Sequence, residues 1–198
     1  VRVSDVNEEA VLDELIRRRR EAGLAAPTAA EQVQALARAK ALDVVASTDP
    51  QEAEVVVGCD SMLEISGQVV GKPIDAADAR ERWRMMSGST GTLHTGHFLM
   101  RTADGAIAEG VSSATIRFGS PSPAEIEAYI ATGEPLWCAG AFTIDGLGGA
   151  FIEGIDGDPH GVVGISLPLL RRLLADLDVV WTDLWAPPPM TKPADDAH

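Results

Sequence analysis

Helices and strands alternate along the first half of the chain and strands dominate its middle. The sequence therefore predicts an α/β fold, bordering on α+β, built on a mixed, twisted sheet flanked by helices. Three observations carry this. The β-branched run Val55 to Val57 leads into Gly58, Cys59 and Asp60, the pattern of a buried strand that delivers a carboxylate to a sheet edge. Two helix starts are signed by capping boxes, Thr28 with Glu31 and Ser122 with Glu125. Between them the segment from Thr92 to Gly119 alternates around an Asp104-Gly105 turn, as an antiparallel pair does.

Taken in order, Val1 to Ser4 reads as a strand already under way, so the chain is expected to be a fragment lacking an upstream segment, with a processed chain as the alternative. Asn7 or Asp5 caps a first helix over Glu8 to Arg20, with Val11, Leu12, Leu15 and Ile16 as its apolar stripe and Arg17 to Arg20 as a basic last turn. The second helix runs from Thr28 to about Ala46 and buries Val33, Leu36, Ala37 and Val44. Lys40 falls on or beside that apolar face, where a lysine needs a partner or water for its head. After the Val55 strand, Met62 to Ile65 and Gln68 to Gly71 form a hairpin about Ser66-Gly67. A strict two-residue turn would put Asp60 and Lys72 on opposite faces. A three-residue loop with Gly67 in a bulge would put them on one face, and that is the expected form. Asp75 caps a third helix containing Trp83 and Met86 and stopped by Gly88.

Ser122 opens a further helix, with Pro123 at its first position and Gly133 as its stop. Ala141 to Ile144 and Ala150 to Ile155 read as strands around the Gly146 to Gly149 turn. A last helix starts near Pro168 and runs through Leu174, and Trp181 and Trp185 pack back onto the body. Residues 1–185 are expected to form one domain and 186–198 a disordered tail.

Several functions are excluded. With 198 residues and a net charge of −14, the chain does not attract polyanions in bulk, so a nucleic acid polymer is not its partner. Any phosphate-bearing ligand must be held by a few local cations or a metal. No apolar run in this sequence approaches a membrane span and no segment of it reads as a signal peptide, so no membrane partner is expected. Cys59 and Cys138 give no disulfide framework, which fits a cytoplasmic location. Gly67-Gln-Val-Val-Gly71-Lys72 imitates a phosphate-binding loop but is one residue short, with Pro73 where a Ser or Thr should hold magnesium. His94 and His97 lie three apart on a strand and point to opposite faces, so they do not share an ion. Of the sixteen basic residues only Lys40, Lys72 and Lys192 are lysines, and two of these sit in the segments that matter below.

An ordered set of short segments now becomes specific. Gly58-Cys59-Asp60-Ser61 after a β-branched strand, followed by a hairpin and Gly71-Lys72-Pro73, resembles the Maf family of nucleotide pyrophosphatases. Leu36-Ala37-Arg38-Ala39-Lys40-Ala41 resembles that family's L-A-x-x-K-A helix. Asp75 to Ala79 ending in Met86-Ser87-Gly88, Gly133-Glu134-Pro135 with Ala139-Gly140-Ala141-Phe142, and Val162 to Pro168 follow in the family's order. The resemblance spans Val3 to about Leu177 and implies a fold like that of the inosine triphosphate pyrophosphatases.

It also implies a chemistry, namely hydrolysis of a nucleoside triphosphate between its α and β phosphates to a monophosphate and pyrophosphate. The substrate class is a non-standard or pyrimidine nucleotide, in a house-cleaning role. A divalent cation, magnesium or manganese, would neutralise part of the triphosphate. Asp60 is then the metal ligand or the base that activates water, and Glu8, in Ser4-Asp5-Val6-Asn7-Glu8, is the second carboxylate. Lys40 and Lys72 bind phosphate oxygens. Three departures stand out. The family's opening strand, S-x-S-P-x-R loop and helix are absent, so the chain as written is expected to be nearly inactive. Trp137-Cys138 replaces a frequent Asp-Lys. Asp145 stands where Gln is common, which turns an amide donor into a carboxylate that could bind substrate or metal. The alternative function is a nucleotide-binding regulator of cell division with little turnover, and a third reading makes Cys59 a nucleophile. A homodimer stays open.

Overall fold

Helix α2 (Ala29–Ala46) lies so close against a five-stranded sheet that two glycines of the sheet touch its backbone. The structure is a computed structural model that describes residues 1–49 and 54–185. The strands are β1 (Val55–Ile65), β2 (Gln68–Val70), β3 (Thr90–Arg101), β4 (Ile107–Phe118) and β5 (Ile152–Asp156). They are ordered β2-β1-β3-β4-β5, and each pairing is antiparallel. Helices flank the sheet, as the alternation of elements predicts.

On one face α2 packs Val33, Leu36, Ala37 and Ala41 onto Val56, Met62 and Phe98. Its start is fixed by the predicted capping box, in which Glu31 N–H donates to the Thr28 hydroxyl while Thr28 N–H donates to the Glu31 carboxylate. Such caps contribute about 1 kcal/mol. A Cβ added at Gly58 would stand 2.3 Å from the Ala37 carbonyl oxygen, and one at Gly96 2.4 Å from that of Val33. These two hydrogens in place of side chains let α2 settle onto β1 and β3. Helix α1 (Glu8–Glu21) packs outside α2 through Val11 and Leu12 and has no buried residue. Its predicted stripe is thus narrower than expected, since Ile16 is exposed.

The opposite face carries α3 (Ala76–Met86), α4 (Pro123–Ala131), α5 (Pro159–Val163) and α6 (Leu167–Asp176). The main core forms where α3 and α4 meet Leu63, Ile65, Leu93, Ala114 and Ile116. Trp83, fully buried, makes edge-on contacts with Phe118, Tyr129 and Phe151, and its indole N–H donates to the Ala141 carbonyl at 2.9 Å. Buried tryptophans need such a partner for the ring nitrogen. Leu169, Leu170, Leu173 and Leu174 of α6 close a second core over Leu99 and Ala108.

Four expectations are corrected. The β1–β2 hairpin is a two-residue turn, with Ile65 opposite Gln68, and not the three-residue bulged loop. Ser66 (φ 51°) and Gly67 (φ 75°) both take left-handed values, the signature of a type I′ turn whose twist suits the strands. Ala141 to Ile144 is not a strand. Gly140 (φ 73°) and Ala141 (φ 62°) reverse the chain there, and a 3-10 turn over Leu147–Phe151 takes Ala150 and Phe151 out of β5. Val1 to Ser4 is not a strand either: residues 1–7 run irregularly, with Asp5 N–H donating to Asp43 on α2 at 3.0 Å. Trp181 packs on the second core as expected, but Trp185 is exposed. The predicted tail, 186–198, lies outside the described residues.

Candidate active site

The edge of β1 forms the site. Strand β2 pairs only Leu63 to Ile65, so β1 before Leu63 has no neighbour on that side among the described residues. Asp60 and Ser61, successive residues on opposite faces of the strand, therefore both border one cleft of about 290 Å³. Lys40, Cys59 and Lys72 line it too, as do Trp137, Cys138, Phe142 and Thr143 and the Val162 to Gly164 end of α5. The parity problem of the hairpin disappears for the same reason. Pairing ends at Val70, so Gly71-Lys72-Pro73 is free to turn back toward Asp60 whatever the turn length.

Lys40 sits between two carboxylates. Its Nζ is 2.5 Å from Asp60 Oδ1 and 2.6 Å from Glu8 Oε1. The Asp60 side chain is 11% exposed and that of Glu8 50%, so one partner is desolvated and the other reaches water. Burial raises the pKa of Asp60, and the Lys40 hydrogen bond and charge offset only part of that rise. For Lys40 burial acts downward, but the hydrogen bonds to Asp60 and Glu8 outweigh it and the net shift is upward. Two carboxylates thus hold one ammonium, while burial leaves the Asp60 carboxylate with a raised proton affinity. Lys72 is exposed, with no ion-pair partner among the described residues, and its charge acts on Asp60.

The surrounding scaffold fixes these groups. The Gly71 carbonyl accepts from Arg82 Nη1 at 2.5 Å and from Gly140 N–H at 2.9 Å, which anchors the turn before Lys72. Arg82 is itself held by Asp78 at 2.7 Å. Thr95, fully buried, donates its hydroxyl to the Gly161 carbonyl at 2.7 Å, so Ser61 donates to Thr95 Oγ1 at 2.8 Å. That chain ties β1 through β3 to α5, the wall opposite. His97 adds a second tie, since its Nδ1–H donates to the Thr95 carbonyl and its Nε2 accepts from Ser166 N–H at 2.8 Å. Burial lowers its pKa, which keeps the ring neutral. Its backbone neighbour Gly96 admits α2, and α2 brings Lys40.

With this geometry in hand, comparison with known proteins is decisive. A family model described as Maf-like protein matches residues 1–177. The chain belongs to the Maf family. It is 51% identical over 187 residues to the nucleoside triphosphate pyrophosphatase of Streptomyces coelicolor, covering 94% of this chain and 84% of that protein. The protein of the same name from Salinispora tropica is 54% identical over 160 residues, covering 80% and 71%. That from Mycobacterium sp. (strain JLS) is 48% identical over 188 residues, covering 92% and 86%.

In this Maf protein Glu8, Lys40, Asp60 and Lys72 come together, as the motifs imply. Asp145 stands just outside: it is exposed, is not part of the cleft lining, and accepts a hydrogen bond from the hydroxyl of Thr143, which is. Arg17 and Arg18 are engaged with Glu14, and Arg19 with Glu31, so these arginines face carboxylates and not the cleft. His94 bonds Ser113 on the face opposite His97. Cys59 lines the cleft, but burial, with the Asp60 charge adding, pushes its thiol up to about 12. A thiol with that pKa is protonated at neutral pH and is a poor nucleophile. Glu134, within the Gly133-Glu134-Pro135 motif, is structural: it accepts from the Tyr129 hydroxyl at 2.8 Å and from Leu147 and Gly148 N–H at 3.0 Å each. The residues that sequence reasoning did not single out are Ser61, Thr95 and Thr143. A polar residue following a strand-end carboxylate was the available signal for the first. No helix among the described residues is long and apolar enough to cross a membrane.

Proposed function

We propose that this protein hydrolyses a nucleoside triphosphate between the α and β phosphates, releasing a nucleoside monophosphate and pyrophosphate, with a non-standard or pyrimidine nucleotide as substrate. The observation that carries the reading is the convergence of Asp60 and Glu8 on Lys40, with Lys72 lining the same cleft, in a chain that is otherwise strongly acidic. In such a chain a tetraanionic substrate needs cations where its phosphates lie.

The donor set fits a hard divalent ion such as magnesium or manganese. Among the described residues no group of three or more His, Cys, Asp or Glu side chains is placed to hold a metal. Magnesium requires less, however, and is commonly held by one or two carboxylates plus phosphate oxygens and waters. Asp60 and Glu8 both bond the Lys40 ammonium, at 2.5 and 2.6 Å, and these two carboxylates are the ones that would supply ligands to such an ion. When bound, the ion would neutralise phosphate charge and polarise the α-phosphorus. Lys40 and Lys72 supply the remaining positive charge, as compact ammonium groups that suit single phosphate oxygens. The raised proton affinity of Asp60 suits it to accept a proton from the attacking water.

A panel of nucleoside triphosphates with magnesium or manganese, assayed separately for pyrophosphate and for phosphate, tests the reading. Pyrophosphate is expected in equal amount to monophosphate, with activity lost in excess chelator and restored by added metal. Stepwise release of single phosphates, or full activity in chelator, would overturn it.

A further inference from the structure

We propose that Trp137 is the platform on which the nucleobase of the substrate stacks, and hence the residue that makes the cleft prefer a nucleotide to a bare polyphosphate. The inference builds on the pyrophosphatase reading and adds a residue and a role to it. Trp137 is 79% exposed, yet it lines the same cleft as Asp60 and Lys72. A large indole left in water at the rim of a pocket is surface waiting to be covered.

The cleft is divided in the way a nucleotide is divided. Lys40, Asp60 and Lys72 present charge, whereas Trp137, Phe142 and Val162 present apolar and aromatic surface. A triphosphate chain matches the first set, and the flat π-face of a base matches the indole of the second. Sugar and polyphosphate offer Trp137 nothing comparable.

The backbone under Trp137 is built to hold it still. It ends a 3-10 turn, Glu134–Trp137, entered through Gly133 and anchored by the buried Pro135. The Glu134 carboxylate is held by Tyr129, Leu147 and Gly148, and the Cys138 thiol donates to the Glu134 carbonyl at 3.5 Å. A platform fixed in advance loses little conformational freedom when the ligand arrives. Stacking is tolerant of base identity, because every base has a π-face. Trp137 therefore sets affinity for nucleotides as a class. Choice among bases falls to polar groups at the ring edge, of which the Thr143 hydroxyl, tied to Asp145, is in the lining.

The test compares two ligands that differ by the nucleoside. Calorimetric titration with the α,β-methylene analogue of UTP, which resists hydrolysis, and with inorganic tripolyphosphate, both with magnesium, is run on the wild type, Trp137→Ala and Trp137→Phe. Truncation to Ala is expected to weaken the nucleotide analogue about tenfold or more while leaving tripolyphosphate within about twofold, and Phe should restore most of the loss. In steady state with UTP the Ala variant should raise KM with little change in kcat. Equal weakening of both ligands would make Trp137 a mere support of the loop, and unchanged nucleotide affinity would remove it from the site. Either result overturns the proposal. Failure of the pyrophosphatase reading would show differently, as wild-type protein that releases no pyrophosphate, and the two affinities do not depend on that outcome.

Discussion

Replacing Asp60 by Asn lowers turnover at least about a hundredfold, the usual loss when an acid–base or electrostatic group is removed from a reacting site. The change is nearly isosteric, so the cleft keeps its shape. Lys40 keeps Glu8 as a partner at 2.6 Å. The folded state should not suffer. Burial raises the pKa of Asp60 above its value in the open chain. A carboxyl group shifted upward contributes stability below its unfolded pKa, and that contribution is lost as pH rises through the folded pKa. The same carboxylate raises the pKa of Lys40 and so stabilises the ammonium, which offsets the cost of its own burial. The melting temperature of the variant should stay close to that of the wild type at neutral pH. The wild-type rate should fall, as the medium is acidified, at a pH above the usual aspartate range. A variant that keeps its turnover, or one that melts far below the parent, would contradict the role assigned to Asp60.

The second large effect is structural and lies beneath the site. Gly58→Val should destabilise the protein by about 3 kcal/mol, at the upper end of the usual overpacking cost. The added Cβ would meet the Ala37 carbonyl oxygen at 2.3 Å and the Ala41 nitrogen and Cβ at 2.8 Å. These are mostly backbone atoms of α2 and cannot swing away as a flexible side-chain end could. Relief requires α2 to lift from β1, which draws Lys40 away from Asp60, so activity and stability should fall together. Gly71→Ala serves as the control in a denaturant titration, because a Cβ there meets nothing within 4 Å. Equal midpoints for the two variants would show that the close approach of α2 does not matter.

Much of this was legible in the sequence, for physical reasons that differ from element to element. The capping boxes at Thr28 and Ser122 fix helix starts through contacts within four residues, and local patterns report local contacts well. The β-branched run into Asp60 likewise marks a strand without reference to the rest of the chain. Features that depend on remote partners were not legible. The Ala141 to Ile144 run is apolar enough for a strand, but Trp83 takes the Ala141 carbonyl, and Gly71 and Leu63 hold Gly140 just before it. Hairpin geometry shows the same limit. The sequence favours a bulged loop that would place Asp60 and Lys72 on one face, whereas the early end of β2 makes the face irrelevant. Gly58 and Gly96 look like ordinary strand glycines until α2 is seen against them. The candidate site residues Glu8, Lys40, Asp60 and Lys72 came from ordered motifs, and spacing alone would not have joined Glu8 to Asp60, which are bridged by Lys40.

That junction is the central claim, and one measurement addresses it most directly: a double-mutant cycle on kcat/KM with Glu8→Gln, Asp60→Asn and the two combined. If both carboxylates serve one cation site, each single substitution disables it and the double variant is scarcely worse than the poorer single one, a strong departure from additivity. If the two losses simply multiply, Glu8 and Asp60 act independently, and the account of a shared site organised about Lys40 is wrong.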